Sequence, residues 1–171
     1  MKSMKNVRIE VNPDIGDEQL FSFYKRNYIC EVGYGRELAC KHLSNSSLIV
    51  GAFDGNRLVG IARAMFDGLS AVIMEFCLEL KYQGRNVEYK NGSLIRKDNA
   101  GLGKRVGETL INEIITMGAN FISCDIIEEY EGDFYRSLGF QPNTGQAVYY
   151  IDKRPYRNDE RYITRRRSNI I

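Results

Sequence analysis

The stretch KDNAGLGKRVGETLINEII, Lys97 to Ile115, holds Gly101, Gly103 and Gly107 within seven residues and runs straight into a helical pattern. Val106, Leu110, Ile111 and Ile114 fall on one face at helical spacing, which predicts a helix over 102–117 with Gly118 placed to end it. Glycine weakens a helix, so a cluster where one opens needs a reason. A helix N-terminus presents unpaired N–H groups and a partial positive charge, which suits an anion such as phosphate. Glycines in front of it let the main chain approach that anion with no Cβ in the way. Gly101 and Gly103 fit this use, and Lys104 adds a compact cation; the alternative is a turn that needs only positive φ.

At 171 residues the chain matches one domain able to bury a core, and its 43% hydrophobic and 27% charged residues are those of a globular protein. No apolar run approaches the ~20 residues of a membrane helix. The opening MKSMKNVRIEV has no secretion-signal pattern, so a cytoplasmic location is expected. Cys30, Cys40, Cys77 and Cys124 form no CxxC pair and His42 is the lone histidine, so neither a metal nor disulfides are expected. The net charge of +2 is uneven: residues 152–171 carry +4 and leave −2 on the body. We expect one domain over 1–151 and a basic extension over 152–171. No aromatic–basic interleaving accompanies those arginines, so a solvated tail is preferred to a nucleic-acid contact.

The element pattern is that of a mixed α/β sheet. VRIEV (7–11) alternates as a strand. Residues 17–32 place Leu20, Phe21, Tyr24 and Tyr28 at helical spacing, with Asp17 as N-cap, and 36–43 read as a second short helix. SLIVGAF (47–53), a DGN turn and RLVGIARAMF (57–66) form a hairpin. AVIMEFCLEL (71–80) is too apolar for an edge strand and suits the centre of the sheet. VEYKNGSLI suggests a small hairpin excursion around 85–96. Strand 120–127, a helix over 131–139 and a last strand, QAVYYI (146–151), complete the order β-α-α-β-β-β-α-β-α-β.

Two phosphate motifs fail. A P-loop needs a glycine five residues before Gly103, where Asp98 stands, and a Ser or Thr after Lys104, where Arg105 stands. A GxGxxG fingerprint needs its third glycine one place before Gly107. AGLGKRVGETLI, followed about thirty residues later by DFYRSLGF (133–140), instead resembles the paired motifs of the GCN5-related N-acetyltransferases. The resemblance spans 47–151. It implies an acyl-CoA N-acyltransferase fold and acetyl-CoA as cosubstrate, its pyrophosphate on a Q/R-x-x-G-x-G/A loop at Ala100, Gly101, Leu102, Gly103 and Lys104. It also implies a splay between strands 71–80 and 120–127 in which the pantetheine arm lies against Phe76, Cys77 and Leu78. Two departures stand out. Asp98 occupies the Q/R position directly, unless YQG supplies it as Gln83 and an insertion of about fifteen residues splits the motif, which is the reading preferred here. Glu128 stands where the family often has Asn.

Acetyl transfer to an amine requires a base, a polarised thioester carbonyl and a proton for the departing thiolate. The resemblance makes Tyr135 the proton donor and the Leu78 N–H the carbonyl polariser. Glu79 is the preferred base, ahead of Glu75; Asp125, His42 and a nucleophilic Cys77 rank below. Glu31, Tyr34 and Glu37 suit a cationic acceptor entering from the 17–43 side. The expected partner is a small-molecule or peptide amine, with homodimerisation left open and neither membrane nor nucleic acid expected. The rival reading is a CoA-binding regulator or sensor of the same fold without transferase activity.

Overall fold

Gly55, at φ +61°, turns the chain between β2 (Leu48–Asp54) and β3 (Arg57–Phe66), which pair antiparallel. In this computed structural model, which describes residues 6–84, 90–151 and 153, that hairpin is the middle of a five-stranded sheet of order β1-β2-β3-β4-β5. β1 (Val7–Val11) joins β2 antiparallel, β4 (Ser70–Leu78) joins β3 antiparallel, and β5 (Phe121–Cys124) joins β4 parallel. A parallel neighbour needs a crossover. It is supplied by α3 (Leu80–Gln83), an irregular segment and α4 (Leu102–Thr116). Before β2 come α1 (Asp17–Arg26), a 3-10 turn (Cys30–Tyr34), α2 (Arg36–Lys41) and a second 3-10 turn (Leu43–Asn45); α5 (Glu128–Ser137) follows β5.

Each sheet face carries its own core. Val106, Leu110 and Ile114 of α4 are fully buried on Val50, Ala62, Phe76 and Leu78, with Phe134 and Tyr135 of α5 beside them. Full burial of such aliphatic side chains contributes about 1.5–3 kcal/mol each. Gly107 permits the close approach, because a Cβ there would lie 2.7 Å from Leu138 and 3.3 Å from the Phe76 ring. On the other face Leu20, Phe23, Tyr24 and Ile29 pack on Leu58, Ile61 and Cys77.

One irregularity in β4 positions everything functional. The β3–β4 register passes from Arg63 opposite Glu75 to Ala64 opposite Ile73, so Met74 is an extra residue, a β-bulge. Ala71 and Ile73 before it and Phe76 and Leu78 after it share the α4 core, while Cys77 joins the α1 core. β5 pairs only with Ser70–Ile73, ahead of the bulge. Beyond Ile73 the two strands form no ladder.

Several boundaries differ from the sequence expectation. α1 stops at Arg26 because Tyr28 turns to φ +55° and the Asn27 side chain donates to the Phe23 carbonyl at 2.9 Å. Asp17 lies in the first turn, and Gly16 is the cap residue, with no side-chain cap bond. The strand expected over 120–127 keeps four residues, and α5 begins at Glu128 with three acids in its first turn, where the helix dipole favours them. The segment 146–151 is not a strand; Val148, Tyr149, Tyr150 and Ile151 are exposed. Its alternation suits a strand, but a strand persists only against a neighbour, and no described strand pairs with it. The excursion is a turn at Asn91–Leu94, where the Leu94 N–H donates to the Asn91 carbonyl at 3.2 Å; residues 85–89, its first expected arm, lie outside the described residues. So does the basic extension apart from Lys153. Among the described residues no helix is long and apolar enough to cross a membrane.

Candidate active site

Gly101 caps α4 in the left-handed region at φ +67°, a conformation that favours glycine. The next amides are aimed at an anion, and that anion is a side chain of this protein. Asp98 accepts the Gly103 N–H at 2.9 Å on one carboxylate oxygen and the Lys104 N–H at 2.7 Å on the other. A Cβ at Gly103 would press on its neighbours, at 3.1 Å from Phe134 and 3.2 Å from the Asp98 carboxyl carbon. Leu102 is buried in the α4 core, with Ala100 packed at its margin. Lys104 Nζ stands 3.8 Å from Glu108.

The segment after α3 leaves and returns at one place. The Asn99 N–H donates to the Gln83 carbonyl at 3.2 Å, and a Cβ on Gly84 would lie 2.9 Å from the Asn99 side chain. Read across that junction, Gln83-Gly84 continues into Ala100-Gly101-Leu102-Gly103, a Q-x-x-G-x-G order. Gln83 is fully buried and its amide donates to the Leu78 carbonyl at 3.0 Å. Of the described residues between Gly84 and Ala100, Gly92 lies over the end of β4. The Gly92 carbonyl accepts the Leu78 N–H at 2.8 Å, and the Gly92 N–H donates to the Asn27 carbonyl at 2.7 Å. Leu94 and Ile95 are buried, Ile95 in the α4 core. The Ile95 N–H reaches Glu131 at 3.2 Å, and the other oxygen of Glu131 accepts the Ile127 N–H at 3.2 Å.

Tyr135 packs in the same region. Its ring meets Phe134, Phe140 and Phe76 edge-on, with centroids 5.3, 5.7 and 6.4 Å away. Burial, then the charges of Glu131 and the two cysteines, raises its phenol above the ordinary value, so it remains protonated at neutral pH. Phe76 stacks edge-on against Phe134 at 5.3 Å. The structure thus brings Phe76, Leu78, Gln83, Ala100–Lys104 and Tyr135 around one end of β4, whereas Cys77 faces the opposite core.

Behind β4 lies a polar cluster that sequence reasoning found only in pieces. Arg63 Nε donates to Glu75 at 2.7 Å, His42 Nε2 lies 3.3 Å from the same oxygen, and Tyr24 Oη is 2.8 Å from that nitrogen. Cys77 Sγ donates to the other Glu75 oxygen at 3.3 Å. Burial alone would raise the Glu75 carboxyl, but His42, Arg63 and Tyr24 outweigh it and hold the group down to about 2. Burial and the Glu75 charge push Cys77 well up, which keeps it a thiol, and the same two causes push Glu31 up to about 7. Glu79 is also buried. Arg57 donates to it at 2.6 Å, and Lys81 and Arg26 stand at 3.5 and 3.6 Å. Its Oε2 makes no hydrogen bond. Asp125 is exposed just past β5. Glu128 pairs with Arg136 along α5. Cys40 and Cys77 are buried free thiols and Cys124 is half-buried; the Cys30 side chain lies outside the described residues. Among the described residues no group of His, Cys, Asp or Glu could hold a metal ion.

This arrangement of strands and helices is shared with many solved structures. An acetyltransferase of the GNAT family from Streptococcus pneumoniae superposes with a TM-score of 0.63 at 22% identity, over 86% of this chain and 98% of that one. A probable acetyltransferase from meticillin-resistant Staphylococcus aureus gives 0.62 at 21% identity, over 85% and 99%. The chain has the GCN5-related N-acetyltransferase fold. An aminoglycoside N-acetyltransferase solved in complex with CoA gives 0.63 at 11% identity, over 90% and 99%. No protein-family profile and no curated protein matches the chain.

Proposed function

We propose that this protein is an acetyl-CoA-dependent N-acetyltransferase that passes an acetyl group directly to a primary amine within a ternary complex. The observation that carries the reading is the parting of β4 from β5 beyond the Met74 bulge, with the α4 amides at its mouth. Those amides already hold two anionic oxygens at 2.7 and 2.9 Å, so their geometry suits a phosphate. Ala100, Gly101, Leu102, Gly103 and Lys104 would hold the pyrophosphate, and Phe76, Leu78 and Gln83 would border the extended arm, with Cys77 contributing main chain only. Acetyl-CoA, when bound, supplies an activated thioester.

The remaining chemistry belongs to the chain. The Leu78 N–H points out of β4 where a carbonyl oxygen could be polarised. Tyr135, whose ring lies edge-on to Phe76 of β4, is the proposed proton donor to the departing thiolate. Glu75 has both carboxylate oxygens engaged, one by Arg63 and His42 and the other by Cys77, so it is not the proposed base. Glu79 is the proposed base, directly or through water, because its buried Oε2 is an acceptor without a hydrogen bond. The acceptor would enter over the 17–43 helices, where the exposed Glu37 and Tyr34 suit a cationic amine. A bisubstrate analogue of CoA and an aminoglycoside bound to one acetyltransferase of this fold supports a small-molecule amine.

Calorimetry with CoA and acetyl-CoA, then thiol release across a panel of amines, tests the proposal. Saturable heat with release on at least one amine is expected, and no heat at millimolar ligand would refute it. Heat without release would favour the regulatory reading, which the contacts already filled by Asp98 and Gly92 make specific.

A further inference from the structure

We infer that residues 91–98 are a built-in occupant of the cofactor groove, which acetyl-CoA must displace before it binds. The inference rests on the acetyltransferase reading and extends it to regulation of the same site. Two separate contacts carry it, one on the α4 amides and one on β4. At the mouth, the Asp98 carboxylate sits on the Gly103 and Lys104 amides, placing an anion where a phosphate would go. At the reacting end, the Gly92 carbonyl accepts the Leu78 N–H, the donor that would polarise a thioester carbonyl. One segment therefore satisfies both recognition groups, with a carboxylate in place of the phosphate and a peptide carbonyl in place of the acyl carbonyl.

The fit is specific. Gly92 lies so close to the strand that a Cβ would stand 3.0 Å from the Leu78 carbonyl and 2.8 Å from the Asn27 side chain. Ile95 is wholly buried between the sheet and α5, its N–H bonded to Glu131, itself buried. The roots of the segment are pinned together by the bond from Asn99 to Gln83. A loop merely crossing the surface would have solvated amides and exposed side chains. This one buries Asn91, Gly92, Leu94 and Ile95. An occupant of this kind lowers apparent cofactor affinity by the fraction of time the groove is open.

The test measures CoA affinity by calorimetry on the full-length protein and its Asp98→Ala, Asp98→Asn and Gly92→Ala variants. Hydrogen exchange is followed over 90–98 with and without CoA, and circular dichroism verifies folding. Removing a helix cap releases the occupant, so Asp98→Ala should tighten CoA binding by about 2- to 30-fold. Asn can accept one of the two amides but its NH2 cannot accept the other, so Asp98→Asn should gain less than Asp98→Ala. Gly92→Ala cannot seat on Leu78 and should tighten binding independently. In the parent chain, CoA should raise exchange at 91–92 and 97–98, leave the Ile95 amide protected, and lower exchange over 102–106. Equal affinities across all four proteins would overturn the inference. So would equal gains from Asn and Ala at 98 with no change in exchange, since that pattern is plain charge repulsion. No CoA binding by any of the four would overturn the acetyltransferase reading and the inference with it.

Discussion

Replacing Glu75 with Leu removes a buried anion while keeping side-chain bulk. Its carboxylate is 5% exposed and its partner Arg63 12% exposed, so the guanidinium left behind cannot reach bulk water without moving β3. The His42 ring and the Tyr24 hydroxyl lose their charged partner at the same time. Breaking a buried pair from one side typically costs about 3–5 kcal/mol, most of it the uncompensated charge. For a domain of this size that corresponds to a fall of about 10 °C in Tm. If the loss comes from the stranded cation, removing the cation should restore it. The double variant Glu75→Leu with Arg63→Met should therefore recover most of the deficit, because apolar replacement of a whole buried pair is often neutral. Far-UV circular dichroism in urea suits the measurement, since the chain has no tryptophan to report the transition. A single variant costing under about 1 kcal/mol, or a double variant as unstable as both singles together, would refute the reasoning.

Tyr135→Phe keeps the aromatic packing with Phe76, Phe134 and Phe140 and removes only the hydroxyl, so turnover should drop by ~10²–10⁴ with CoA affinity nearly kept. Unchanged turnover would take it out of the mechanism. Glu31, raised to about 7 by burial first and the Glu75 charge second, holds a proton in the folded state that the unfolded chain releases near its ordinary value of 4.5. Its stabilising contribution is thus complete below that value and is lost as pH rises to about 7. Glu31→Gln should flatten the decline of Tm across this window, and an identical slope in both proteins would dismiss the assignment. Glu131→Ala strands the Ile95 and Ile127 amides and should destabilise the fold by about 1–3 kcal/mol, seen as a lower denaturation midpoint with unchanged slope.

What could be read beforehand divides along physical lines. The β2–β3 hairpin was legible because Asp54-Gly55 is a strong turn signal, and α4 because glycines open it and a periodic apolar face continues it. That β4 is not an edge strand was legible from its apolar length, although it stands fourth of five and the centre belongs to β3. The Met74 bulge was not, because an extra residue leaves no mark in a sequence until the partner strand is known. Register likewise hid the link between Arg63 and Glu75, twelve residues apart. Asp98 was conspicuous as an acid in a position suited to a phosphate-binding residue. Its role on the α4 amides was hidden, because a side-chain cap usually bonds an amide two or three residues on and Asp98 lies five before Gly103. The final segment misled because alternation records which residues would share a face, and contains nothing about whether a strand is present to pair with.

How far the 91–98 segment must move is decided by magnitudes. If the whole segment left, Leu94 and Ile95 would each forfeit about 1.5–3 kcal/mol of burial, on top of the hydrogen bonds lost. Such an opening would cost more than ordinary cofactor binding could repay while leaving useful affinity. Releasing the contacts at Asp98 and Gly92 alone involves a cap of about 0.5–2 kcal/mol and two main-chain bonds, Leu78 to Gly92 and Gly92 to Asn27, of about 0.5–1.5 kcal/mol each. An open state about 1.5–5 kcal/mol up is populated at roughly 0.02–7% and weakens binding by about 14- to 5000-fold. Opening should therefore be confined to residues 91–92 and 97–98, with Ile95 held in the core by Glu131 as the pivot. Hydrogen exchange resolved by residue would show this directly. CoA should release the protection of the Gly92 amide and leave that of Ile95 intact, whereas equal deprotection of both would mean the segment moves as one piece.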